Sequence, residues 1–377
     1  MTAPPMSPPH NPVGPYDPRV SHRALRGEVL TLAVQPDVAV FGVFDGGRYD
    51  AFAQTLDALG LRGLPLLTSD GEAAGAGPWI VDPYVDPKAT GPDTPEADAD
   101  DTAEAAAKAM ADALAAGDET GGGALLTETS MHTPDPQDAA LRTRVEALVS
   151  LDDMVPGGVF WIVPRHVTCQ DLRAHLRKVA RMVIPAAYLP EDPGTETAPV
   201  LFRHSQGDVL AEVLPALTPH QRRSVTGLAQ ALRFRAPSHP FETGGCLYRL
   251  DAPPDVDAAP LPLHLSADQM EQIGDAQLAG SRERVGQYLR DVDPSCAQRD
   301  RASLRAFVHR AEVAGDGMGL SSEQAHMKWA YLMAITDGGI DCPTTRTALH
   351  ETEAHPDHRI DDIFAEVDAL WEESAAG

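Results

Sequence analysis

The stretch that decides the fold runs over residues 157–185, GGVFWIVPRHVTCQDLRAHLRKVARMVIP. Its first part, GGVFWIV, is a glycine-bounded apolar run that predicts a strand. The second part predicts a helix. Thr168 with Asp171 makes a capping box that starts it, and Pro185 sets its end. Leu172, Leu176, Val179 and Val183 recur at helical spacing and form one stripe toward a core. Arg173, Arg177 and Arg181, four apart, share another face with Lys178 beside them. Like charges at this spacing cost a helix about 0.2–0.5 kcal/mol per pair, so the row calls for neutralising partners.

Working outward, the same alternation recurs. AVFGVFD (39–45) predicts a strand, and the segment after it carries Tyr49, Phe52, Leu56 and Leu59 at helical spacing with Gly60 as a stop. GPWIVDP (77–83) predicts a second strand, QDAALRTRVEALVSL (137–151) a helix, VLFRH (200–204) a strand, and GDVLAEVLPAL (207–217) a helix capped by Asp208. Strands alternating with helices argue for an α/β lobe ending near Arg235, with a mixed sheet and flanking helices.

Beyond residue 266 the pattern is all-helical. Ser266 with Gln269 and Ser321 with Gln324 fit capping boxes, while Gly315 to Gly319 and Gly338–Gly339 fit stops. The organisation predicted is a Pro-rich disordered lead (1–20) and an α/β lobe (21–235) with an acidic insertion (86–135). A Pro-rich connection (236–265) holding one strand pair and a helical lobe (266–377) complete it. Over residues 86–120 ten acids face two lysines, and an Asp101-to-Glu104 cap within an Ala-rich run predicts a solvated helix there.

The chain has 377 residues and is 43% hydrophobic, enough for a sizeable core. It carries 56 Asp plus Glu against 30 Lys plus Arg, a net charge of −26 that repels phosphate backbones and anionic membranes. No run reaches a membrane span and the start lacks a secretory pattern, so the reading is a soluble cytoplasmic protein that binds no nucleic acid and inserts in no membrane. Cys169, Cys246, Cys296 and Cys342 are too scattered for a zinc knuckle or a disulfide framework. Against that acidic background, residues 160–235 hold ten Lys plus Arg and only six acids. The arginine row is therefore either an internal ion-pair network or a basic groove that docks an acidic segment of a partner.

Nucleotide-binding, serine-hydrolase and zinc-protease motifs are lacking in the sequence. HETEAHPDH (350–358) gathers His350, Glu351, Glu353, His355, Asp357 and His358, and a metal-dependent hydrolase centred on His350, His355 and His358 is the alternative reading. His350 and His355 are five apart, which a straight helix does not align, and Pro356 interrupts the run. The other reading is an exposed polar loop. MKWAYLMAI (327–335) places Trp329, Leu332, Met333 and, just beyond it, Thr336 on one face, which reads as core or as a grip on partner helices.

In order and spacing, FGVFDGG, GPWIVDP, GGVFWIV, AHLRKVARM, VLFRH with GDVLAEVLPAL, and AEVAGDGMGLSSEQAHMKWAYLMAITDGG resemble the type VI secretion effector adaptors, also called effector chaperones. The resemblance spans roughly residues 25–370 and rests on the ordered set rather than on any one motif. It implies an α/β lobe followed by a helical lobe, and a bacterial protein with neither catalytic residues nor cofactor. Such a protein binds a cognate secreted toxic effector and helps load it onto the type VI spike, which it meets directly or through the effector. The family's helix motif falls on His175, Leu176 and Arg177, its strand motif on Phe202 and Arg203, its early-strand acid on Asp45, and its Pro-aromatic pair on Pro78 and Trp79. Gln206 and Gly207 stand where the family has Asp and Pro, so the pairing that Asp makes is in question here. The partner-binding residues expected are Arg173, Arg177, Lys178, Arg181 and Arg203, with His175 packed or hydrogen-bonded inside the lobe.

Overall fold

The computed structural model describes residues 18–66, 77–85, 139–189, 194–240, 245–350 and 355–375. Its N-terminal lobe is organised by a sheet of six strands: β1 (Val38–Asp45), β2 (Arg62–Pro65), β3 (Pro78–Asp82), β4 (Val159–Pro164), β7 (Ala231–Arg235) and β8 (Leu247–Asp251). They run in the order β2-β3-β1-β4-β7-β8, every neighbouring pair antiparallel. A smaller sheet, in the order β6-β5-β9, holds β5 (Arg181–Pro185), β6 (Thr197–Leu201) and β9 (Leu263–His264). There β5 is antiparallel to β6 and parallel to β9.

Alternation along the strands gives the large sheet two apolar faces. Val38, Val40 and Phe44 of β1 and Phe160 and Ile162 of β4 meet the helices α1 (Pro18–Ala33), α2 (Phe52–Leu59) and α3 (Ala139–Met154). Ala39, Phe41, Val43, Val159, Trp161 and Val163 point the other way. They meet α4 (Cys169–Val179), the small sheet, α5 (Gly207–Ala216) and α6 (Pro219–Thr226). Because both faces are covered, the central strands read as unbroken apolar runs although the sheet is antiparallel.

The C-terminal region is helical: α7 (Ala267–Val292), α8 (Pro294–Ala297), α9 (Arg301–Asp316), α10 (Glu323–Ile335), α11 (Pro343–His350) and α12 (Pro356–Ala375). At 26 residues α7 is about 39 Å long and joins two cores. Ile273 near its start packs with the sheet, whereas Val285 and Leu289 pack with Phe307, Trp329 and Ile360. Its N-cap Ser266 forms the expected capping box with Gln269, whose Nε2 also donates to the Ala216 carbonyl (2.8 Å) and to Gln221 Oε1 (2.7 Å). One buried glutamine thus ties the start of α7 to α5 and α6.

Several expectations need correction. The helix of residues 169–179 does not continue to Pro185: Arg181 opens β5, where exposed Arg181 alternates with buried Met182 and Ile184 at period two. Val183 therefore belongs to a strand and not to the helix stripe. The cap of α10 is Ser322 rather than Ser321, and Ser321 instead donates to Asp357. Asp208 does not cap α5; its carboxylate accepts from the backbone and hydroxyl of Ser238. β8 and β9 do not pair with each other but complete the two separate sheets. β2 and α6 are additional elements. Residues 1–17 of the Pro-rich lead, and the acidic island with its Asp101–Glu104 cap, lie outside the described residues, while residues 18–20 begin α1. Trp329 and Leu332 are fully buried, so that stripe is core. Among the described residues no helix is long and apolar enough to cross a membrane.

Candidate partner-binding corner

The helix α4 starts as its sequence dictates: Thr168 Oγ1 accepts from the Asp171 amide (3.1 Å) and Asp171 Oδ2 accepts from the Thr168 amide (2.9 Å). Leu172, Leu176 and Val179 are sealed in the core. Arg177 and Lys178 are exposed and fall in the last turn, where the partial negative charge of the helix end favours cations by about 0.3–1 kcal/mol. That offsets much of the expected like-charge penalty. Only Arg173 and Arg177 keep the i,i+4 relation on the helix, since Arg181 has moved to β5.

The chain then turns directly into the small sheet. Arg181 faces Leu201 across the β5–β6 ladder, and the next amide, that of Phe202, donates to the Ala180 carbonyl (2.8 Å). Phe202 is buried, and Arg203 follows it, exposed, in the turn after β6 rather than on a strand. Arg177, Lys178, Arg181 and Arg203 are therefore gathered at one corner, where α4 ends and the ladder begins. The twenty positions that separate Arg181 from Leu201 along the chain hide this proximity from a linear reading; antiparallel pairing restores it.

Ion pairs with described acids serve α1, the large sheet and the helical region, as in Arg233–Glu28, Arg249–Glu28, Arg284–Glu323 and Lys328–Asp361. Arg173, Lys178, Arg181 and Arg203 make none with a described acid. Arg173 is half-buried, and its enclosed Nε has no hydrogen-bond acceptor among the described residues. A further cation, Arg223 of α6, lies close enough to His175 to disfavour its protonation.

The remaining motif residues are internal. His175 Nε2 is 2.9 Å from the Val225 carbonyl, to which it donates, and its ring meets the edge of Trp161 with centroids 6.3 Å apart. Burial, before the nearby Lys178 and Arg223, holds its pKa below the ordinary histidine value. It is a neutral tie between α4 and α6. Gly227, at φ +49°, makes room for it, because a Cβ there would stand 2.0 Å from His175 Cε1. Pro78 lies opposite Asp45 in the sheet, and the half-buried Trp79 packs edge-on to Phe52.

Asp45 answers the question raised by Gln206 and Gly207. It caps the short 3-10 turn after β1, accepting from the Gly47 amide (3.2 Å), and receives the Gln206 side-chain amide on its other oxygen. Gln206 thus makes a neutral side-chain tie to β1. Gly207 donates to the Gly157 carbonyl (2.7 Å), and a Cβ on it would stand 2.1 Å from the Arg235 carbonyl. Below this turn Asp152 and Arg235 form a buried ion pair (2.5 Å), with Asp152 also accepting from the Gly157 and Gly158 amides. Burial raises the Asp152 pKa, against the pull of Arg235.

Of the residues of the alternative metal reading, Asp357 and His355 have local hydrogen-bond partners. Asp357 accepts from the Ser321 amide and hydroxyl and from the Ser322 amide, which binds α12 to the start of α10. His355 Nδ1 accepts from the Asp357 amide (3.2 Å). Glu351 and Glu353 lie outside the described residues, and among the described residues no three His, Cys, Asp or Glu are placed to hold a metal ion. A cleft of about 600 Å³, lined by Glu212, Arg284, Asp316, Glu323 and His326, lies between α5 and the helical region. Its arginines are internally paired.

Sequence reasoning missed one feature of the corner, the exposed Leu201 (61% accessible) on a strand with no neighbour beyond it among the described residues. Pro199, in the middle of that strand, was the available signal, because proline within a sheet is confined to edges. Comparison of the chain with family models, with curated proteins and with solved structures returned no match.

Proposed function

We propose that this protein is a non-catalytic adaptor that holds a secreted toxic effector in the bacterial cytoplasm and assists its loading onto a type VI secretion spike, directly or through the effector. The observation that carries the reading is the cationic corner. In a chain of net charge −26, Arg181, Arg203 and Lys178 stand exposed together with no described acid to pair with them. Arg233, Arg249 and Arg284 do pair with described carboxylates, and these three side chains do not. A partner carboxylate is the group they fit, through the planar fork of arginine.

The two-part architecture and the ordered motifs support the same reading. His175, Leu176 and Phe202 hold the corner in place from inside, and Arg177, Lys178, Arg181 and Arg203 present it outward.

The test is a tagged capture from the native host in moderate salt, with partners identified by mass spectrometry, run beside Arg181→Glu with Arg203→Glu. Both side chains are exposed, so the double variant should keep its melting temperature. The expected result is one dominant secreted protein that the variant loses. Capture of no secreted protein by the wild type, or equal capture by the variant, would overturn the reading.

A further inference from the structure

At the cationic corner the backbone itself is open. In the β5–β6 ladder the Phe202 amide donates to the Ala180 carbonyl and the Ala186 amide to the Glu196 carbonyl (2.9 Å). The residue pairs between them then fix the parity: residues 196, 198, 200 and 202 turn their backbone groups toward β5, while Thr197, Pro199 and Leu201 turn theirs away. Among the described residues β6 pairs with β5 alone. The Thr197 carbonyl accepts from Thr195 Oγ1 (2.8 Å), and Pro199 has no amide to offer. This leaves the Thr197 amide, the Pro199 carbonyl and both backbone groups of Leu201 without a partner among the described residues.

Side chains at the same edge are selective. Leu201 is 61% accessible and shares the outer face of the small sheet with Arg181, directly opposite it. Arg203 stands two residues beyond Leu201. Exposed backbone donors and acceptors, one apolar side chain and two cations without described acids converge within one strand end.

We propose that β6 takes an extended segment of the client as an added strand, with carboxylates toward Arg181 and Arg203 and an apolar residue against Leu201. This rests on the adaptor reading and specifies how the client is held. Main-chain bonds supply affinity in strand addition, and the flanking side chains supply selection. Charge names the occupant: a neutral or basic segment leaves the arginines unpaired, and a second copy of a chain carrying −26 is repelled. Pro199 and the two arginines would equally guard an edge that pairs with nothing, and experiment separates docking from guarding.

The probes are two synthetic peptides, one of alternating Glu and Val and one of alternating Lys and Val, added to the full-length protein. Backbone hydrogen exchange and binding are measured. The Glu–Val peptide should bind and slow exchange across residues 197–201; the Lys–Val peptide should do neither. Leu201→Pro removes an outward amide and leaves the inward ladder intact, and should weaken binding at least about tenfold. Leu201→Glu, which keeps the amide and adds a repelling charge, should do the same and covers the case in which the proline variant fails to fold.

Glu–Val binding unchanged in both variants, no Glu–Val binding, or protection of the edge in the free protein by self-association would overturn the proposal. Client capture in the same variants separates the two claims. A client held by Leu201→Pro and Leu201→Glu but lost by Arg181→Glu with Arg203→Glu overturns strand addition and leaves the adaptor. A bound Glu–Val peptide with no client at all supports an acidic-strand site and overturns the adaptor.

Discussion

Two buried titratable groups, Asp82 and His204, show how single residues set the behaviour of the lobe. Asp82 accepts from the Tyr84 amide (2.8 Å) at the end of β3, and burial pushes its pKa up to about 6. His204 is enclosed behind α4, and burial, with His175 nearby, pulls it down to about 4. Their effects on stability have opposite signs. A carboxyl raised in the fold binds its proton there more readily than in the unfolded chain, so stability grows as pH falls from about 6 toward 4. A histidine lowered in the fold stays neutral while the unfolded chain protonates, so stability is lost as pH falls from about 6.5 toward 4. Chemical denaturation of Asp82→Asn across this window should expose the loss of about 2–3 kcal/mol, and His204→Gln should expose the gain. Profiles parallel to the wild type would contradict both assignments. Gly207 illustrates a steric limit at the same scale: Gly207→Ala puts a Cβ 2.1 Å from a backbone carbonyl and should cost about 3 kcal/mol in thermal or denaturant unfolding.

At the scale of elements, α4 was legible in its start and not in its end. Thr168 and Asp171 are three apart in sequence and their reciprocal bonds are local, so the cap could be read; Thr168→Ala should cost about 1 kcal/mol in denaturant unfolding. Its end is decided by long-range pairing. Residues 182–184 carry apolar side chains that suit the fourth turn of a helix as well as a strand, and β6, about twenty residues onward, settles it. The same limit hid where Arg203 sits, in the turn after β6 rather than on a strand, and it hid Leu201, whose exposure depends on β6 being an edge. The Asp152–Arg235 pair was likewise beyond reach, because α3 and β7 meet only in the fold. Asp152→Ala removes the carboxylate that balances the buried Arg235 guanidinium and should destabilise by about 3–5 kcal/mol, measured by urea unfolding.

At the scale of the whole molecule, charge is unevenly distributed, and the docking claim depends on this. The helices on one face of the large sheet carry their own ion pairs, as in Arg26–Glu146 across α1 and α3, whereas the opposite face ends in the cationic corner. The excess of Lys and Arg over residues 160–235 was visible in sequence; which of them share a corner was not. The most direct measurement is a titration of the captured client with wild type, with Arg181→Glu plus Arg203→Glu, and with Arg23→Glu plus Arg26→Glu on α1. Both double variants change net charge equally, so a general repulsion weakens both alike. The corner variant is predicted to lose at least about a hundredfold in affinity, near 2.7 kcal/mol, while the α1 variant stays within about threefold of wild type. Equal losses in the two variants, or none in the corner variant, would contradict the docking site.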